Sequence, residues 1–220
     1  MYRRHFIAAG FWVVMAGVSA ASLAASLAEA APAPTNKKIL VLGDSLSAEY
    51  GLKRGSGWVA LLEQRLATEK MKVTVVNASI SGDTTSGGRS RLPALLAQHR
   101  PSHVIIELGA NDALRGLPMA MTQDNLSQMT QAAQKAGARV LLVGMQVPPN
   151  YGSDYARRFS NTFATVARAQ KATLVPFLLK GIADAPNALT LFQNDRLHPR
   201  EEAHPLMLDN IWPELKKLLQ

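Results

Sequence analysis

Five short apolar runs, separated by segments of helical periodicity, restrict this chain to a small set of folds. They cover residues 38–42, 73–77, 103–108, 140–144 and 173–177. Val, Ile and Leu dominate them, the pattern of strands buried on both faces. Residues 58–66, 91–98, 122–136 and 154–170 lie between them, and 203–219 closes the chain, each with apolar residues three or four apart. Pro93 is expected in the first turn of its helix, and Gly137 as the stop of the next. Strands alternating with helices predict an α/β fold with a parallel sheet covered on both faces. Ligands bind such sheets at the carboxyl ends of the strands. Residues that carry chemistry should therefore follow strands directly.

The first thirty residues stand apart. Arg3, Arg4 and His5 make a basic start, residues 6–28 carry no charge, and Ala28-Glu29-Ala30 offers a small-x-small site before Ala31. These are the three parts of a secretory signal peptide, expected over residues 1–30. An uncleaved membrane anchor is the alternative, because the uncharged run is long enough to span a bilayer. Its richness in Ala, Ser and Gly makes transfer into lipid only weakly favourable, however. The chain has no cysteine, which excludes a lipid-anchored lipoprotein, a disulfide and a Cys-bound metal. Residues 31–37, with Pro32 and Pro34, predict a flexible lead-in, and residues 38–220 one domain. Localisation after cleavage is then periplasmic or secreted.

The net charge is +8, and +7 once residues 1–30 are removed with Arg3, Arg4 and Glu29. Lys37-Lys38, Arg89, Arg91, Arg157-Arg158 and Lys216-Lys217 are scattered rather than gathered in one run. Such charges read as solvated surface, not as a nucleic-acid site.

Four polar motifs follow strands or lie in the last loop. Gly43-Asp44-Ser45-Leu46 follows the first strand. A serine there is a candidate nucleophile if a base lies within reach, although it serves equally as a helix cap. Gly82, in the loop after the second strand, offers a backbone N–H that nothing shields, or simply a turn. Asn111, after the third strand, has an amide N–H₂ suited to an oxyanion, in a sequence that also favours turns. Asp195-Arg196-Leu197-His198 pairs a carboxylate with an imidazole three residues on, an orienting partner and a base, or a surface capping pair. The other histidines are poorer candidates: His99 and His103 flank the Arg100-Pro101 turn that leads into the third strand, and His204 has no evident partner. No HxH or HExxH spacing suggests a metal, and residues 81–88 lack the Gly-Lys-Ser/Thr ending of a phosphate loop. Taken together, the order Ser, Gly, Asn, Asp, His at strand ends is what an acyl-transfer site requires.

These motifs, with Val76–Thr84 (VNASISGDT), Arg91-Leu92-Pro93, Glu107–Asp112 (ELGAND) and Pro149-Asn150-Tyr151-Gly152, resemble the SGNH/GDSL hydrolases over nearly all of residues 38–220. The likeness is to their bacterial periplasmic arylesterase, thioesterase I and lysophospholipase L1 group. The resemblance implies a flavodoxin-like three-layer α/β/α sandwich with a five-stranded parallel sheet. It implies a Ser45–His198–Asp195 triad and an oxyanion hole of the Ser45 and Gly82 N–H groups and the Asn111 side chain. Asp44, Leu46, Ala110, Asp112, Pro149 and Tyr151 are the substrate contacts it implies. No metal or organic cofactor is expected, nor an obligate protein partner; the chain is expected to be a monomer acting on small-molecule esters or thioesters, lysophospholipids included. Two positions depart from the family pattern: Glu49 and Ala110 stand where Gly is frequent, and Glu49 would bring a negative charge near the cleft. A sugar O-acetyl esterase with the same machinery and a non-catalytic exported binding protein remain alternatives.

Overall fold

The computed structural model describes residues 37–220. The expected signal peptide, and the lead-in up to residue 36, lie outside the described residues. Lys37 belongs to the fold rather than to the lead-in: it opens β1 (Lys37–Gly43) and pairs in register with Val73.

The remaining strands are β2 (Val73–Asn77), β3 (His103–Glu107), β4 (Arg139–Val143) and β5 (Thr173–Val175). All pair in parallel, in the order β2-β1-β3-β4-β5. This is the flavodoxin-like order expected, and its direction reverses at the β1/β3 boundary, the switch point where such folds bind ligands. The three central strands are buried along almost their full length, which is why their sequences are apolar without alternation.

Helices α1 (Trp58–Thr68) and α7 (His204–Leu219) pack together as one layer. Helices α2 (Thr85–His99), α4 (Met119–Lys135) and α5 (Ser153–Ala169) form the other, so the three-layer α/β/α expectation holds. Two short helices, α3 (Ala110–Leu114) and α6 (Ala188–Leu191), interrupt the connecting loops. Among the described residues no helix is long and apolar enough to cross a membrane.

One helix departs clearly from its sequence reading. α2 starts at Thr85, not near Arg91, so Pro93 stands in its interior rather than its first turn. Gly87 and Gly88 near its start weaken the helical signal. Gly88 is there for packing: a Cβ would lie 2.3 Å from Leu108 Cδ1, so the first turn of α2 rests directly on the residues after β3.

His204 has the partner its sequence did not reveal. Its Nδ1 accepts the Trp58 N–H at 3.0 Å, satisfying one of the free donors at the start of α1. Burial holds its pKa below the ordinary value, which suits a neutral acceptor.

Candidate active site

Three adjacent strands deliver the first three motifs to one place. β1 ends at Gly43, and residues 44–50 turn back over it. The chain after β2 returns across the same edge, with Ala78 N bonded to Val41 O at 2.9 Å and Ile80 N to Gly43 O at 3.1 Å. The chain after β3 passes through Gly109 into α3. Ser45, Gly82 and Asn111 thus meet at the switch point.

Gly43 cannot be larger. A Cβ there would sit 2.7 Å from both Cβ and Oγ of Ser47 and 2.9 Å from Glu107 Oε2. Below the turn, the Trp58 indole N–H donates to Ser47 Oγ at 3.2 Å, and the Ser47 hydroxyl donates to Glu107 Oε2 at 2.7 Å. Glu107 has no exposed surface, and its Oε1 has no partner among the described residues. Burial, and then the charge of Asp44, push its carboxyl well up from the ordinary range.

The fourth motif arrives from the far side of the sheet, on the long connection between β5 and α7. Phe192 and Pro199 pair as an antiparallel bridge, closed by Gln193 N to His198 O at 2.8 Å and Arg200 N to Leu191 O at 2.8 Å. Gln193 Nε2 ties this turn to Tyr50 O at 2.9 Å, next to the Ser45 loop. Asp195 Oδ1 accepts the N–H groups of Leu197 at 2.9 Å and His198 at 3.0 Å. Its Oδ2 meets His198 Nδ1 at 2.7 Å, and His198 Nε2 meets Ser45 Oγ at 2.8 Å. With Asp195 accepting at Nδ1, the imidazole proton sits there, and Nε2 is free to accept from the serine hydroxyl. Burial raises the Asp195 pKa, but the two N–H bonds and His198 outweigh it and hold the carboxyl at about 2. The Tyr50 ring lies against His198, centroids 4.4 Å apart, while remaining 49 % exposed.

Gly82 has φ +77°, and its carbonyl accepts Arg115 Nη2 at 2.7 Å. The N–H groups of Ser45 and Gly82 have no acceptor among the described residues. Asn111 Nδ2 donates to Asp44 Oδ2 and to Asp83 O, both at 3.0 Å. Both of its amide hydrogens are thus engaged, and an arriving oxyanion must compete for one.

The residues read as substrate contacts divide. Asp112 is fully buried and bonded to Thr85 and Thr122, so its carboxylate faces the interior, not the cleft. The Leu46 side chain belongs to the core. Asp44 is 1 % exposed, its Oδ1 accepting Leu46 N at 3.0 Å. It supports the site from within rather than from the surface. Ala110 opens α3 and is partly buried against the core. Pro149 and Tyr151 bound a 3₁₀ turn, and the Tyr151 ring begins an aromatic row through Tyr155 and Phe159 to Phe163. Glu49 does not charge the cleft: its carboxylate accepts Gly55 N at 3.0 Å and Gly57 N at 2.8 Å. Its φ of +57° is a left-handed backbone conformation that favours Gly.

Sequence reasoning missed Arg91, whose charge was read as solvated. Its Nε donates to Asp83 Oδ2 at 2.8 Å and its Nη1 to Ala78 O, pinning the loop that carries Gly82. The Arg91-Leu92-Pro93 motif was the available signal. Ser47, Glu107, Tyr50 and Arg115 were likewise not singled out.

Asp44 yields a pH prediction. Desolvation drives its carboxyl from the ordinary 3.8 up to about 6, against the opposing pull of the Leu46 N–H, His198 and Asn111. The folded pKa is the higher one, so the penalty is absent below about pH 4 and complete above about pH 6. Asp44→Asn is therefore expected to gain more stability at pH 8 than at pH 4, by at most about 3 kcal/mol, in paired urea titrations. An equal effect at both pH values would show that Asp44 is not a reluctant buried anion.

A hydroxyl, an imidazole and a carboxylate in series at the switch point of a parallel sheet define a hydrolase that works through a nucleophilic serine. Known proteins agree. Residues 41–206 match the GDSL-like lipase/acylhydrolase family. Esterase TesA of Pseudomonas aeruginosa is 52 % identical over 181 residues, which are 82 % of this chain and 89 % of that protein. Thioesterase 1/protease 1/lysophospholipase L1 of Escherichia coli (strain K12) is 40 % identical over 181 residues, 82 % of this chain and 84 % of that one. A crystal structure of TesA superimposes with a TM-score of 0.80 at 51 % identity, covering 83 % of this chain and 99 % of its own. The chain belongs to the GDSL-like lipase/acylhydrolase family, and it is a serine ester hydrolase.

Proposed function

We propose that Ser45 is the nucleophile of this hydrolase, His198 its base and Asp195 the group that orients His198. The observation that carries this reading is the unbroken relay from Asp195 Oδ2 to His198 Nδ1 at 2.7 Å and from His198 Nε2 to Ser45 Oγ at 2.8 Å. His198 takes the hydroxyl proton as Ser45 Oγ attacks the ester carbonyl. The tetrahedral oxyanion is held by the N–H groups of Ser45 and Gly82 and by Asn111 Nδ2, which exchanges one of its present acceptors for it. His198 then returns the proton to the leaving alcohol or thiol. A water molecule, deprotonated by His198, frees the acid from the acyl-serine.

The substrates proposed are aryl esters, acyl thioesters and lysophospholipids. The relatives' names support the range. The enzyme works as an exported monomer after removal of residues 1–30, without a cofactor.

Hydrolysis of p-nitrophenyl esters from C2 to C16 by protein recovered from the periplasm tests the reading. Turnover is expected, from a single-chain species beginning at Ala31. Asn111→Ala is expected to lower kcat by roughly 10²–10³. Undiminished kcat in that variant would remove Asn111 from the oxyanion hole.

A further inference from the structure

The two donors outside Ser45 stand on different loops. Gly82 lies between β2 and α2, and Asn111 opens out of β3 on α3. An oxyanion needs both at about 2.7–3.1 Å from one oxygen, so the spacing of the loops matters. Three side chains of residues 111–115 set it. Asn111 Nδ2 donates to Asp83 O at 3.0 Å, and Arg115 Nη2 to Gly82 O at 2.7 Å. Between them, Asp112 Oδ2 accepts Thr85 N at 2.9 Å, and Asp112 Oδ1 accepts the Thr85 hydroxyl. One short helix thus reaches the stretch 82–85 at three points, with Arg115 exposed and Asp112 fully buried.

The buried contact continues into the core. Thr122 Oγ1 donates to Asp112 Oδ1 at 3.2 Å, and Asn125 Nδ2 to Thr85 Oγ1 at 3.0 Å, which fastens the clasp to α4. A buried carboxylate is costly unless donors surround it, and a packed apolar side chain would stabilise the same contact at least as well. What the carboxylate adds is directional bonds that fix where α2 begins relative to α3.

We propose that Asp112 is a positioning residue of the oxyanion hole. Through Thr85 it holds the Gly82 loop at the distance from Asn111 at which both donors meet one oxygen, and Arg115 holds the same loop from the solvent side. The proposal rests on the oxyanion-hole reading given above. Asp112 touches neither substrate nor reacting atoms, and its effect appears in kcat rather than KM.

A double-mutant cycle separates positioning from general support of the fold. Asp112→Asn is expected to lower kcat by about 10- to 100-fold with KM within about twofold, the scale of a donor displaced by up to an ångström. In an Asn111→Ala background the spacing has nothing left to set, and the same substitution is expected to cost less than about threefold. An unchanged kcat, or an equal loss in both backgrounds, overturns the proposal. If Asp112→Asn does not fold, Arg115→Met decides: a several-fold lower kcat that shrinks in the Asn111→Ala background supports it, and an unchanged kcat or an equal loss overturns it. If Asn111→Ala alone leaves kcat intact, the oxyanion-hole reading fails, and this proposal fails with it.

Discussion

Ser45→Ala is expected to leave a folded protein whose kcat on p-nitrophenyl esters is lower by about 10⁴–10⁶. The substitution removes the hydroxyl bonded to His198 Nε2 at 2.8 Å. No acyl-enzyme can form, and what remains is the catalysis of the oxyanion donors acting on water. The fold should barely notice. Ser45 is partly buried at the crest of a turn that Asp44 and Glu107 hold from below, so one hydrogen bond is lost, worth about 1 kcal/mol. Activity and thermal unfolding measured on one preparation check both halves. A variant that keeps its turnover would require another nucleophile.

Asp195→Asn is expected to lower kcat by roughly 10³ through the tautomer of His198. Asp195 Oδ1 already accepts two backbone N–H groups, so the single oxygen of an asparagine is drawn to that side. Its amide N–H₂ then faces His198 Nδ1, which must accept. The imidazole proton moves to Nε2 and points at Ser45, and the base is lost. In a fully buried triad this change costs about 10⁴. Here the Asp195 side chain is 36 % exposed, so water can compete for Nδ1 and the loss is somewhat smaller. The wild-type carboxyl, held at about 2, stays ionised at any ordinary assay pH. Its stabilising contribution to the fold, present above about pH 4, is lost only as pH falls toward 2. Steady-state kinetics between pH 7 and 9 check the prediction, and a variant within tenfold of wild type would show that Asp195 does not set the tautomer.

Much of this was legible in the residues. Continuous apolar runs marked the strands of a doubly covered sheet, because parallel strands have no solvent face to encode. Placing polar motifs after those runs located Ser45, Gly82 and Asn111 at one edge, since loops at strand ends converge whatever their sequence. What was not legible depended on direction. Asp112 stands beside Asn111 on α3, and nothing local says that one carboxylate turns inward while the neighbouring amide turns toward the cleft. Arg91 looked like one more scattered charge until α2 began at Thr85, which brings it over Asp83. Glu49 looked like a charge in the cleft, but its left-handed backbone sends the carboxylate to Gly55 and Gly57. The motif bearing Asp195 and His198 read equally as a surface capping pair, because Asp caps helices and turns alike. The Phe192–Pro199 bridge that shapes it has no local signal.

The most direct test of Ser45 as the nucleophile is the mass of the intact protein, and of its peptides, after exposure to a p-nitrophenyl alkylphosphonate. Such a reagent phosphonylates an activated serine and stops there. One adduct per chain is expected, on the peptide carrying Ser45, and none in His198→Ala under the same conditions. Labelling of a different residue, or equal labelling when His198 is gone, would contradict the relay on which the account rests.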